Sequence, residues 1–285
     1  MDTLAHFNLN LPIGRIHGVR TSQARPVKVL CLHGWLDNHA SFLPMMPFMQ
    51  GVECVAVDMI GHGKSDHRDA NSLYHYIDYI RDIKLIINAL GWQRCHLVGH
   101  SMGGAIALIT ASALSEHIQS LSLIDILHPL TRSPAESPKL LAKALKQFEY
   151  WDVEREKIFP SLKHAVIARL AASPFPQRKQ DASLLMQHAT DVVDTGLRLR
   201  SDARLSFRSP LMLDNAQVEA FIQAVDMPSL AILATQGMTS QRTDVKETLA
   251  LFQTIEAHYL EGGHHIHMEQ PQACAEAITH FIESV

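Results

Sequence analysis

The chain is poor in charge: 19% of its residues are Asp, Glu, Lys or Arg, and its formal net charge is −4. Without a basic surplus there is no global field to hold a phosphate backbone, so nucleic acid is not an expected partner. No run is long, apolar and charge-free enough to cross a bilayer, and a soluble globular protein is expected. The opening Met1-Asp2-Thr3-Leu4-Ala5-His6 lacks a basic segment followed by an apolar one, so no secretory signal is read there. Cysteine is scarce. Cys31, Cys54, Cys95 and Cys274 are far apart, form no C-x-x-C, and at least three sit in apolar runs where a thiol simply packs. That usage predicts a reduced, cytoplasmic chain. Internal repeats and low-complexity tracts are also missing.

Apolar residues are plentiful, at 47% of 285, enough for one large domain or a domain with an insertion. Phe7 to Leu11 and Arg15 to Val19 alternate around Pro12-Ile13-Gly14, which predicts a hairpin. Val27 to Leu32 and Cys54 to Val57 are continuously apolar, as strands of a parallel sheet buried on both faces would be. A helix is plausible over Ser41 to Met49. A second is marked by Ile77, Ile80, Ile83, Ile87 and Leu90 before the stop at Gly91. Strand and helix go on alternating through Cys95 to Gly99, Gly103 to Leu114 and Leu121 to Leu127, the mark of an open α/β sheet.

From Pro129 prolines punctuate helical segments around Leu140 to Phe148, Leu162 to Ala172 and Leu184 to His188, with no clear strand between them. The α/β pattern returns with Leu230 to Ala234, a helix near Val245 to Phe252, a strand near Ile255 to Leu260 and a helix from Gln272 to Ile282. The expected organisation is therefore a mostly parallel, doubly wound core from 1–128 and 227–285, interrupted by a helical cap insertion over 129–226.

Gly99-His100-Ser101-Met102-Gly103 is a G-x-S-x-G placed directly after an apolar strand and before a small-residue helix, the context that motif requires. A serine on so sharp a strand-to-helix turn has strained backbone and an exposed hydroxyl, which makes Ser101 a nucleophile candidate. The helix behind it presents free N–H groups and a positive dipole end to a developing anion. The bland alternative is a serine in a connecting or phosphate-binding turn.

At these residues the sequence resembles the α/β-hydrolase family, and nearly the whole chain takes part. His33-Gly34-Trp35 matches that family's oxyanion loop, Asp58-Met59-Ile60-Gly61-His62-Gly63-Lys64-Ser65 its D-x-x-G-H-G-x-S turn, and Gly263-His264 followed by Glu269-Gln270-Pro271 its C-terminal G-H-x-x-x-x-E-x-P. His33 to Asn38 and Gly263 to His267 look especially similar to the serine hydrolase-like branch. The resemblance implies an oxyanion hole from the backbone N–H groups of Trp35 and Met102, and His264 as general base, with His265 the runner-up in register. Trp35 also reads as a core or pocket-wall aromatic. Asp58 reads as part of a tight loop rather than of the chemistry.

Many family members carry the acid after the strand matching Leu230 to Ala234, but Thr235-Gln236-Gly237-Met238 has no carboxylate. Asp125, at the end of the preceding strand, occupies the alternative position. Its bland reading is a helix or loop cap, and the rival carboxylate, Asp244, reads as an N-cap. The order Ser101, Asp125, His264 suits the mechanism in which the histidine takes the hydroxyl proton and the carboxylate holds its tautomer. The histidines near His264 lack a partner motif such as H-E-x-x-H, so no metal is expected there, and the mechanism implied needs no cofactor.

Phe148, Trp151, Phe159 and Met186 are candidates for lining an acyl pocket, although cap residues more often pack among themselves. Arg198, Arg200, Arg204 and Arg208 hint at an anionic ligand, with internal pairing to Asp202 the better reading. The expected activity is hydrolysis of small to medium acyl esters through an acyl-serine. The alternatives are thioester or carbon–carbon hydrolysis at the same site, or a non-catalytic ligand-binding receptor. A dehalogenase or epoxide hydrolase is disfavoured because relatives with those activities place aspartate where Ser101 stands. A small-molecule acyl substrate is the expected partner; the oligomeric state is not legible.

Overall fold

The computed structural model describes residues 4–149, 157–207 and 209–285. The chain opens with the hairpin β1 (Leu4–Leu11) and β2 (Gly14–Thr21), followed by β3 (Lys28–Leu32), β4 (Glu53–Val57), α1 (Tyr76–Ala89), β5 (Cys95–His100), α2 (Met102–Ala113) and β6 (Ile118–Ile124). Next come α3 (Ser137–Glu149), β7 (Ile158–Phe159), α4 (Leu162–Ala172), α5 (Lys179–Ala189), β8 (Thr190–Val193), β9 (Gly196–Leu199) and α6 (Asn215–Gln223). The end of the chain supplies β10 (Ser229–Ala234), α7 (Val245–Leu249), β11 (Ile255–Leu260), α8 (Ile266–Glu269) and α9 (Pro271–Glu283).

Eight strands form one sheet in the order β1-β2-β4-β3-β5-β6-β10-β11, antiparallel only where β1 meets β2 and β2 meets β4. The continuously apolar strands are explained by two buried faces. Leu30, Leu32, Val55 and Val57 point into a core shared with Ile83, Ile87 and Ile106, while Val29, Cys31, Cys54 and Ala56 point the other way, towards Phe42, Met45, Ile278 and Phe281. A two-residue period with both faces covered leaves no polar position, so alternation is lost from the sequence. From β3 the chain winds first outwards to β4 and then back across to β5, so the crevice beyond the C-terminal ends of β3 and β5 is where the winding reverses. Open α/β sheets bind ligands at such a point.

Two local expectations are corrected. Ser41 to Met49 is not one helix but two short 3-10 turns, His39–Ser41 and Met46–Phe48, because Pro44 and Pro47 each remove a donor and restrict the residue before them. Residues 129–226 are not solely helical. They contain a three-stranded antiparallel sheet, β7-β9-β8, whose hairpin turn is signalled by Asp194-Thr195-Gly196. Its strands are short and half-exposed, so no continuous apolar run marks them in the sequence. Within the same span, α6 buries Val218 and Ile222 in the main core rather than in the inserted part.

Candidate active site

Ser101 is the junction of β5 and α2, with φ 51 and ψ −119, a strained conformation for a non-glycine residue. The turn is possible because its flanks carry no side chains. A Cβ on Gly99 would lie 2.5 Å from the Gly103 carbonyl oxygen, and one on Gly103 would lie 2.1 Å from that of Leu32. Helix α2 can therefore start hard against β3 and β5, with Ser101 half-buried at its mouth.

Asp125 directly follows β6, is fully buried and also has positive φ, at 48. Its Oδ2 accepts from His264 Nδ1 at 2.7 Å and from the Met238 N–H at 2.6 Å. Its Oδ1 accepts from the Thr239 hydroxyl and, at longer range, from the N–H groups of Ala234 (3.3 Å) and Thr239 (3.4 Å). An ionised carboxylate only accepts, so His264 must carry its proton on Nδ1 and turn the Nε2 lone pair outwards. That Nε2 is 2.9 Å from Ser101 Oγ, in position to accept the hydroxyl proton. Sequence-distant residues are thus joined in the chain Asp125, His264, Ser101, each within hydrogen-bond reach of the next.

The runner-up residues lie elsewhere. His265 Nε2 is 3.3 Å from an oxygen of Asp37, not of Asp125. Asp244 stands at the start of α7 but does not cap it; it pairs with Arg242 at 2.6 Å on the surface. Asp58 belongs to the loop-building network, as its place in a glycine-rich turn suggests, and contacts no member of the chain above.

Further polar groups surround these three residues. His100 Nε2 donates to the His264 carbonyl oxygen at 2.9 Å, which fixes the loop that carries the imidazole. Asp37 is buried; burial opposes its ionisation, but Arg169 and His265 outweigh that and hold its carboxyl well below the usual range. Arg169 comes from α4 and also donates to the Leu36 carbonyl oxygen at 3.0 Å, so it ties the inserted segment to the loop after β3. Phe175 lays its ring 4.6 Å from that of His264. Asp37 and His100 lie within the motifs, which assign them no role; Arg169 and Phe175 carry no sequence signal at all. Asp37, His100 and His265 could offer a cation three ligand atoms within 4.8 Å of one another, but the Arg169 guanidinium already pairs with the other oxygen of that carboxylate and sets a positive charge beside it.

Trp35 is not a core residue: its side chain is 48% exposed, and its indole N–H donates to the Leu205 carbonyl oxygen at 2.9 Å. The Gly34 to Asp37 loop turns tightly, with Leu36 at φ 57 and the Asp37 N–H bonded to the Gly34 carbonyl. Among the described residues no hydrogen bond uses the Trp35 N–H, and the Met102 N–H belongs to the unpaired first turn of α2. Of the pocket candidates, Phe159 and Met186 are buried with Ala165, Val166 and Ala182 in a small core of the inserted segment, so they pack rather than line a site. Phe148 sets its ring edge-on to Phe207, and Trp151 lies outside the described residues. Arg204 pairs with Asp202, and Arg198 and Arg200 with Asp191; Arg208 is also outside the described residues. Among the described residues no helix is long and apolar enough to cross a membrane.

Comparison with known proteins agrees with this architecture. Residues 28–271 match the family described as alpha/beta hydrolase fold. The chain is 29% identical to serine hydrolase-like protein 2 of Homo sapiens, over 98% of this chain and 94% of that protein. It is 26% identical to the serine hydrolase-like protein of Danio rerio, over 98% and 88%. Its structure superposes with a TM-score of 0.92 on a hypothetical protein from Pseudomonas aeruginosa PAO1, 34% identical, covering 98% of this chain and 99% of that one. A thioesterase domain from the curacin biosynthetic pathway follows at a TM-score of 0.84 and 25% identity, covering 97% and 99%.

Proposed function

The chain belongs to the α/β-hydrolase family, in its serine hydrolase-like branch, and on that footing we propose that it cleaves small to medium acyl esters through an acyl-serine intermediate. The observation that carries the reading is the hydrogen-bonded chain from Asp125 through His264 to Ser101, at 2.7 and 2.9 Å. Ser101 Oγ attacks the ester carbonyl as its proton passes to His264 Nε2. Asp125 stabilises the imidazolium and keeps the ring oriented. The carbonyl oxygen, now negative, receives the N–H groups of Met102 and Trp35. Collapse expels the alkoxide, which takes the proton from His264; water, deprotonated by the same nitrogen, then attacks the acyl-serine, and the acid leaves as Ser101 Oγ takes that proton back from His264. Nucleophile, base and oxyanion donors all come from the chain, so the sequence of steps calls for no cofactor.

Of the inserted span 129–226, the part before α6 would act as the cap. Arg169 and Phe175 support this reading, since both reach from it to the site loops. A thioester substrate is a second reading, favoured by the similarity to a thioesterase domain. Both substrate classes pass through the same tetrahedral oxyanion.

A fluorophosphonate should add to one residue, Ser101, and Ser101→Ala should lose both the adduct and turnover. A panel of matched oxygen esters and thioesters of rising acyl length then separates the two substrate classes. An adduct on a different serine, or esterase activity surviving in Ser101→Ala, rejects the assignment.

A further inference from the structure

A second group of histidines gathers away from Ser101 and His264. His6 lies on β1, His17 on β2, His39 in the turn after β3, and His188 in the last turn of α5. Beneath them Asp58, just beyond β4, is fully buried. Its carboxylate takes four donors: His17 Nδ1 at 3.0 Å, His39 Nδ1 at 2.8 Å, the His39 N–H at 2.7 Å and the Lys64 N–H at 2.8 Å.

This arrangement fixes the chemistry of the two rings. Because ionised Asp58 can only accept, His17 and His39 both bear hydrogen on Nδ1, and both are left with a lone pair on Nε2. His17 Nε2 lies 3.2 Å from His6 Nδ1. His39 Nε2 is buried and has no hydrogen-bond partner among the described residues. Its ring stands 4.9 Å from those of His17 and His188 and 5.7 Å from that of His6, so the unsatisfied nitrogen is enclosed by imidazoles. His6, His17 and His39 each offer a ligand atom within 4.8 Å of the other two. Tetrahedral zinc with Zn–N bonds of about 2.0–2.1 Å sets its ligand nitrogens roughly 3.3 Å apart, close to the spacing His6 and His17 already have.

We propose that His6, His17 and His39 form a binding site for a divalent transition-metal ion of the zinc type, with His188 beside it as the fourth ligand and Asp58 as the carboxylate that orients two of the rings. Nitrogen donors of this kind select zinc-like ions over calcium or magnesium, which take oxygen. A carboxylate behind each ligating histidine is the usual support of such sites, because it fixes the tautomer and raises ligand basicity. The ion would join the β1-β2 hairpin, the loop after β3 and helix α5, where the Asn38 side chain already donates to the Leu185 carbonyl oxygen at 3.0 Å.

The test uses the full chain stripped with a chelator and titrated with Zn²⁺ by calorimetry, then with Co²⁺, whose visible absorption reports a four-coordinate nitrogen site. One ion per chain is expected, with a rise in melting temperature. His6 is exposed, so His6→Gln should fold and yet bind Zn²⁺ at least tenfold more weakly. His258→Gln, on an exposed residue of β11, should bind as the parent does. The assignment is overturned if the parent takes up no ion, if His6→Gln binds as tightly as the parent, or if the ion is lost in His264→Ala and kept in His6→Gln.

Discussion

Replacing Asp125 by asparagine removes one charge and turns one acceptor into a donor, and the surrounding hydrogen bonds decide which loss matters. If the new amide NH₂ faces His264, it also faces the Met238 N–H at 2.6 Å, a short bond exchanged for a repulsion. In the opposite orientation the NH₂ meets the Thr239 hydroxyl, which can turn to accept, and the N–H groups of Ala234 and Thr239, whose bonds are already long at 3.3 and 3.4 Å. The second orientation costs less, so His264 keeps its tautomer and the variant loses mainly the carboxylate charge opposite the imidazolium. At about 4 Å and an effective dielectric of about 20, that charge contributes about 4 kcal/mol, or a factor of about 10³ in rate. A reversed amide would also impose the wrong tautomer, for which a well-studied triad shows a loss of about 10⁴. Asp125→Asn should therefore acylate 10³ to 10⁴ times more slowly in a burst assay with an activated ester, while its circular dichroism stays that of the parent. Asp244→Asn, which breaks only a surface pair with Arg242, should acylate normally. A folded Asp125→Asn within tenfold of the parent, or an equal loss in Asp244→Asn, refutes the reasoning.

Three further outcomes are expected. His264→Ala should block fluorophosphonate labelling of Ser101, whereas His265→Ala should still label, since its ring serves Asp37; mass spectrometry of the adduct distinguishes them. A Cβ at Gly237 would lie 2.1 Å from Asp125 Oδ2, so Gly237→Ala should shift the carboxylate and slow acylation by about 10² without unfolding the sheet, measured by burst kinetics beside a thermal melt. Burial drives the His62 imidazole from 6.5 down to about 3, so between those values the unfolded chain holds a proton that the native state refuses. That stabilisation is complete above pH 6.5 and is lost on acidification, at about 1.4 kcal/mol per pH unit; urea titrations from pH 6.5 to 4 should show a shallower slope in His62→Gln.

What the sequence made legible was whatever depends on neighbours in the chain. The Ser101 elbow needs glycines two positions either side and an apolar strand before it, all within a few residues, so its reading required no tertiary knowledge. Strands β3 and β4 were recognisable because burial on both faces removes polar residues. The three-stranded sheet of 129–226 was hidden for the converse reason: its strands are short and half-exposed, and carry charges such as Arg198 and Asp191 that pair across it. Arg169, Phe175 and the histidines around Asp58 were illegible for another reason. Their roles exist only after residues from separate elements of the chain have been brought together, and no spacing encodes that.

The position of the carboxylate makes physical sense of the departure after β10. Where many family members place the acid, this chain has Thr235-Gln236-Gly237-Met238, and that turn now supplies donors to Asp125 instead of an acceptor to His264. The Met238 N–H and the Thr239 hydroxyl saturate the carboxylate from behind, and the missing side chain at Gly237 is what lets the turn approach so closely. An acid at the end of β6 is also anchored differently. Its own N–H is bonded to the Ile232 carbonyl oxygen at 2.8 Å, so Asp125 is held by the strand next door rather than by a loop. With Ser101 bonded through its N–H to the Ile124 carbonyl at 3.2 Å, nucleophile and carboxylate are registered to adjacent strands, and only His264 rides on a loop. The His100 bond to the His264 backbone and the ring of Phe175, from the segment between α4 and α5, act on that loop. The member of the site least anchored to the sheet is thereby the imidazole, the one that the proposed mechanism asks to exchange a proton with serine, leaving group and water in turn.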